Sequence, residues 1–160
     1  MHIRAALPDD VDSIWTILEP TIRAAETYTL PSDMSRGEAL GYWMSPGHEV
    51  FVAEENQDLL GTYFLQANQR GGGSHVANCG YITARALTGR GVARAMCADS
   101  LDRARARGFS AMQFNFVVAT NERAIRLWES FGFNTLARVP AAFRHPTLGL
   151  VDALVVHRFL

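Results

Sequence analysis

The chain has 160 residues, 48% of them hydrophobic, and a formal net charge of −1, which suits one soluble domain over residues 1–160 with a single core. The near-neutral balance argues against nucleic-acid and membrane-surface partners, which need a basic excess. The two cysteines, Cys79 and Cys97, fit neither a metal-ligand spacing nor a disulfide framework. No apolar run is long enough to span a bilayer and no signal-peptide pattern opens the chain, so a cytoplasmic setting is expected.

In chain order, His2 to Ala6 is expected as a first strand, and Pro8-Asp9-Asp10 supplies helix-start chemistry. Val11, Ile14, Trp15, Leu18 and Ile22 fall on one helical face, and Pro20 predicts a kink or a break into two short helices. The loop Glu26 to Pro31 carries Tyr28, which either lines a substrate pocket or packs half-buried. A second helix is expected over Ser35 to Trp43. Strands follow at Glu49 to Glu54 and Leu59 to Ala67, joined by the hairpin turn Asn56-Gln57-Asp58. Gln69 to Ser74 reads as a glycine-rich mobile loop leading into a strand from His75 to Thr83.

The next helix shows Ala93, Met96, Cys97, Ser100, Leu101 and Ala104 at helical spacing, and Gly108 stops it. Cys97 therefore belongs to the core. Ala111 to Val118 is a strand with Met112, Phe114, Phe116 and Val118 on one face and Gln113, Asn115 and Val117 on the other. Asn121 to Ser130 is helical, packing through Ala124, Ile125 and Trp128. Strands at Asn134 to Val139 and Val151 to Phe159 close the chain, with a loop from Pro140 to Leu150 between them. The order is β-α-α-β-β-β-α-β-α-β-β, an α/β chain of about seven strands and four helices.

The most informative stretch runs from Asn78 to Arg94, where an extended run bends into two glycines and then a helix. A helix start leaves backbone N–H groups without partners and carries partial positive charge. Gly89 and Gly91 let a phosphate approach the main chain, and Arg90 and Arg94 add positive charge beside it. The expectation is a pyrophosphate seat. The dinucleotide fingerprint needs a third glycine, and the ATP-type loop needs a Gly-Lys-Ser/Thr ending; neither is present.

Thr88-Gly-Arg-Gly-Val-Ala93 resembles the Q/R-x-x-G-x-G/A signature of the GCN5-related N-acetyltransferases, with Thr88 in place of the usual Gln or Arg. Downstream, Asn121 to Phe133 resembles that family's N-x-x-A-x-x-x-Y-x-x-x-G-F segment, with Trp128 in place of the Tyr. The resemblance implies a mixed sheet that splays between the strands at 75–83 and 111–118, and acetyl-CoA as cosubstrate. It implies that the amides of Gly89, Arg90, Gly91, Val92, Ala93 and Arg94 hold the pyrophosphate. It further implies that main-chain groups of Ile82 and Thr83 bond the pantetheine arm, and that Asn121 and Trp128 contact CoA.

Many relatives carry a Glu on the first splayed strand as general base, but here neither splayed strand has a carboxylate. They offer Asn78, Gln113 and Asn115, whose amides can orient an amine but cannot take its proton. Phe114 to Asn121 is similar to the fungal branch that acetylates the proline analogue azetidine-2-carboxylate. That similarity implies that Asn78 and Asn115 bind the substrate, which makes them the catalytic candidates, and that Asn121 contacts CoA; Gln113, from its strand, and Tyr28, from its loop, are further candidate substrate contacts. Trp128 cannot protonate the departing thiolate, which leaves Tyr81, His75, water or the departing ammonium. The expected partner is a small-molecule amine, with no metal. A protein or peptide acceptor and a non-catalytic acyl-CoA sensor stand as alternatives. Relatives are often dimers, so a homodimer through the Pro140 to Leu150 segment is also open.

Overall fold

The computed structural model describes residues 1–87 and 89–160. Seven strands form one sheet: β1 (His2–Ala5), β2 (Glu49–Glu55), β3 (Asp58–Ala67), β4 (Val76–Thr83), β5 (Ala111–Val118), β6 (Asn134–His145) and β7 (Gly149–Phe159). Four α-helices flank it: α1 (Val11–Ala24), α2 (Arg36–Trp43), α3 (Val92–Ala106) and α4 (Glu122–Ser130). The spatial order is β1-β2-β3-β4-β5-β7-β6, antiparallel except for β4 beside β5. Among the described residues, no helix is long and apolar enough to cross a membrane.

Two apolar clusters pack the sheet. One joins Met96, Cys97 and Leu101 of α3 to Tyr63, Met112, Phe114 and Val117. The other joins Ile14, Leu18 and Ile22 of α1 and Trp43 of α2 to Val52, Phe64 and Ile82. Cys97 is fully buried, as its place on the helical stripe implies.

Local chemistry explains most boundaries. Ser35 Oγ accepts from the Glu38 N–H while the Glu38 carboxylate accepts from the Ser35 N–H, a reciprocal cap that starts α2. Asn56 and Gln57 both have positive φ, 53° and 72°, as the tight β2–β3 hairpin requires. At the end of α3, Gly108 turns left-handed and Phe109 N–H bonds back to the Ala104 carbonyl.

Three expectations need correction. Of the two outcomes expected at Pro20, the break into two short helices does not occur; α1 is uninterrupted from Val11 to Ala24. An interior proline costs about 3 kcal/mol, whereas burying Ile14, Ile17, Leu18 and Ile22 contributes roughly 6–12 kcal/mol. Burial wins. The segment from Pro140 to Leu150 is not a loop but most of a long hairpin, with β6 running to His145 and β7 starting at Gly149. Pro140 is tolerated because it lies on the edge strand inside an irregular stretch between Val139 and Phe143. Asp152 clamps that stretch, accepting from the Ala141 N–H at 2.9 Å and from Arg138 at 2.6 Å.

The third correction concerns β5. Phe114 pairs with Val156, but Val117 pairs with Leu154, so one extra residue bulges out at Asn115–Phe116. Alternation fails there: Val117, not Phe116, joins Met112 and Phe114 in the core, and Phe116 is 39% exposed.

The α1/α2 layer is tied to the sheet by a buried relay, in which the Trp43 indole N–H donates to Thr62 Oγ1 and that hydroxyl donates to the Phe51 carbonyl. Thr62→Val keeps the shape but leaves the indole N–H unpaired. We expect a stability loss of about 1–3 kcal/mol, read by urea unfolding at unchanged m-value.

Candidate active site

The site is a fork. β4 and β5 are paired only at Val76–Ala111 and Ala77–Met112, then diverge. Asn78 spans the gap just past the last pair, its Nδ2 donating to the Gln113 carbonyl at 2.9 Å. Beyond it the strands enclose a cavity of about 720 Å³.

Which backbone groups face the gap follows from strand parity. The Val76 carbonyl accepts from β3 and Ala84 N–H donates to β3, whereas the His75 carbonyl accepts from Ser110 beside β5. Even-numbered β4 residues therefore spend their backbone groups on β3, and odd-numbered ones face β5. Past Ala77 the odd residues are Cys79, Tyr81 and Thr83, whose partner strand has moved away. The Tyr81 carbonyl has one substitute, the Tyr28 hydroxyl at 3.0 Å. The Thr83 main chain therefore faces the gap, whereas the Ile82 main chain serves the β3 ladder. The open edge from Asn78 to Thr83 is about 17 Å long at ordinary strand rise.

At the open end lies the start of α3. Gly91 caps it with φ of 80°, and Ala95 N–H is the donor to the Gly91 carbonyl. The N–H groups of Val92, Ala93 and Arg94 precede the first intrahelical bond, and all three residues line the cavity. Gly89, with φ of 99°, is also in the lining, and a Cβ there would stand 3.5 Å from Arg123 Nη2. Arg94 is steadied by Ser130 Oγ at 3.0 Å and lies over the Phe131 ring. Arg90 points elsewhere, to Glu55 at 2.7 Å, and does not line the cavity. Thr88 lies outside the described residues.

The opposite wall is α4, with Asn121, Arg123, Arg126 and Trp128 in the lining. Sequence reading missed the two arginines. Their signal was two cations three residues apart inside the Asn121 to Phe133 segment, at positions the motif leaves free. Trp128 packs 4.9 Å from Phe114, ring to ring.

At the closed end the structure gathers an amide cluster. Gln113 Nε2 donates to Asn115 Oδ1 at 2.9 Å, and Asn115 Nδ2 donates to Asn68 Oδ1 at 2.6 Å. Asn78 and Asn115 line the cavity; Gln113 does not and acts on Asn115 instead. His75 is exposed at the foot of the fork, outside the lining. Tyr28 lines the cavity beside Gly80, where a Cβ would collide with Phe64 at 2.5 Å. Glycine is required there by that close approach. Burial raises the pKa of the Tyr28 and Tyr81 hydroxyls and pushes the Cys79 thiol up to about 12. Tyr81 is further committed to Ser100 Oγ at 2.8 Å. Among the described residues no cluster of His, Cys, Asp or Glu could hold a metal ion.

A seven-stranded sheet with a forked parallel pair and a glycine-capped helix start beside the fork is the architecture of an acyl-CoA-dependent transferase. The family model for the acetyltransferase (GNAT) family matches residues 12–133, and the chain belongs to that family. It is an N-acetyltransferase. A GCN5-related N-acetyltransferase from Kribbella flavida shares 39% identity, with a TM-score of 0.95 over 99% of this chain and 97% of that one. The N-acetyltransferase aca1 of Schizosaccharomyces pombe is 29% identical over 153 residues, covering 84% of this chain and 72% of its own length. The fold is also that of yncA from Salmonella typhimurium, solved with its cofactor acetyl-CoA, at 22% identity and a TM-score of 0.87 over 100% of this chain and 94% of that one.

Gly91→Val forces a branched side chain into a left-handed backbone position at a cost of about 1–2 kcal/mol. We expect calorimetry to show about tenfold weaker binding of acetyl-CoA, with the fold intact by circular dichroism.

Proposed function

We propose that this chain transfers an acetyl group from acetyl-CoA to the amine of a small molecule by direct attack, in a cytoplasmic setting. The observation that carries the reading is the fork. An open backbone edge leads from the unpaired amides of Val92, Ala93 and Arg94 to the amide cluster at Asn78 and Asn115. The acetyl-CoA fit is one of charge and shape: a cationic seat of Arg94, Arg123 and Arg126 for the phosphates, and an edge about as long as an extended arm. Bound there, acetyl-CoA supplies the activated acyl carbon.

The chain's own groups do the rest. The N–H groups of Cys79 and Tyr81, turned into the gap, polarise the thioester carbonyl and hold charge that develops on its oxygen. Asn115 keeps one lone pair of Oδ1 and one N–H beyond its bonds to Gln113 and Asn68, enough to orient an amine. As the new C–N bond forms and the C–S bond breaks, the nitrogen sheds its proton and the thiolate gains one, directly or through water. Trp128 shapes the sulfur's surroundings without giving a proton.

Within this reading, the asparagines at 78, 115 and 121, all in the lining, favour the acceptor class of the azetidine-2-carboxylate branch, a small amino acid or its toxic analogue. The exposed Leu136, Val139, Leu148 and Leu150 on the β6–β7 hairpin support a homodimer.

The test is thiol release from acetyl-CoA with a panel of small amines, beginning with small amino acids and cyclic imino acids. A protein that binds CoA yet releases no thiol with any of them would sink the reading in favour of a sensor. Asn115→Ala should lower kcat by about a hundredfold while leaving calorimetric affinity for acetyl-CoA unchanged.

A further inference from the structure

We infer that the acceptor reacts as a free amine that has already lost its proton to solvent, so that between amines of one shape the less basic reacts faster near neutral pH. The inference rests on the acyl-transfer reading above. It comes from where charge lies in the cavity. Among the described lining residues, the only side chains charged at neutral pH are Arg94, Arg123 and Arg126, all at the phosphate end. Thr21, Thr27, Tyr42, Phe64, Asn115 and Phe116 build the acceptor end, and no Asp, Glu, His or Lys joins them.

The remaining titratable groups in the lining are Tyr28, Tyr42, Tyr81 and Cys79. Burial raises all four pKa values, so at neutral pH each holds its own proton and none can take another. The titratable groups behind these walls lie outside the lining. His48 stacks on Phe64 from outside the cavity, with Nδ1 on the Trp43 carbonyl. Asp99 is held by the Tyr63 hydroxyl and by Arg103, and Glu122 by Arg126. On the α1 side, Arg23 donates to the Ser32 and Met34 carbonyls, and Glu26 is exposed and outside the lining.

Among the described lining residues, an ammonium entering this end meets no carboxylate to pair with and no base to deprotonate it. The aromatic walls can attract a cation but cannot remove its proton. The neutral fraction must therefore come from bulk equilibrium. At about pH 7.5, an alkyl amine with a pKa near 10.4 is about one part in a thousand neutral, whereas an α-amino group near 7.8 is about one third neutral. Between amines of one shape, that difference of several hundredfold sets the order of reactivity.

The test compares two amines of one shape, alaninamide and 2-amino-3-methylbutane, by kcat/KM for thiol release across pH 6 to 9.5. We expect log kcat/KM to rise with unit slope towards each amine's own pKa. The two profiles are then displaced by the difference between those pKa values, and each flattens when recalculated on free-base concentration. Near neutral pH the amide should lead by at least about tenfold. Tyr42→Phe and Cys79→Ser should leave the inflection with the amine, whatever they do to the height of the profile. One inflection shared by both amines, or one that vanishes in either variant, would place the base on the protein and overturn the inference alone. Thiol release with neither amine, from protein that still binds acetyl-CoA by calorimetry, would overturn the acyl-transfer reading and this inference with it.

Discussion

Two hydrogen-bonded residue pairs between β4 and β5, followed by divergence, are the constraint on which the rest of the molecule depends. A parallel pair inside a sheet would normally continue for its full length, because an unpaired backbone group shielded from water costs about 1–3 kcal/mol. Here Cys79, Tyr81 and Thr83 forgo that pairing, and the groups they leave free are what an extended ligand can satisfy. The cavity between the strands is a consequence of pairing withheld.

Several features hold the fork open without filling it. Asn78 fixes the foot by spending its side-chain amide on the Gln113 carbonyl, which has lost its ladder partner. The bulge at Asn115–Phe116 breaks the alternation of β5, and every residue from Phe114 to Val118 lines the cavity. Tyr28 reaches over from the segment after α1 and bonds the Tyr81 carbonyl, so the α1/α2 layer is coupled to the edge that it overlooks. Separate clusters on the two faces of the sheet let the halves pack independently on either side of the split.

Charge is sorted along the same axis. Among the described lining residues the charged side chains are Arg94 of α3 and Arg123 and Arg126 of α4, and the rest of the lining is neutral amides, hydroxyls, rings and aliphatic groups. That arrangement favours orientation and main-chain polarisation over proton transfer by the protein. It also explains how a chain without the family's usual glutamate and tyrosine keeps a recognisable site: most of the machinery is backbone.

The order of elements and the glycine-capped start of α3 were legible in the sequence, because both rest on local chemistry. Periodicity marks a buried helical stripe, the Ser35–Glu38 pair marks a helix start, and Gly89 and Gly91 mark a left-handed entry into α3. What the sequence could not decide was whatever a neighbour decides. Pro20 stays helical because the sheet beneath rewards four buried side chains, and Pro140 stays in a strand because that strand is an edge. Phe116 leaves the core because β7 skips a residue opposite it. Arg90 turns away from the cavity while Arg123 and Arg126 line it, since Glu55 and α4 meet that loop only once the chain has folded. Local propensity sets which elements form; long-range pairing sets which of their groups are left free, and in this protein the free groups make the site.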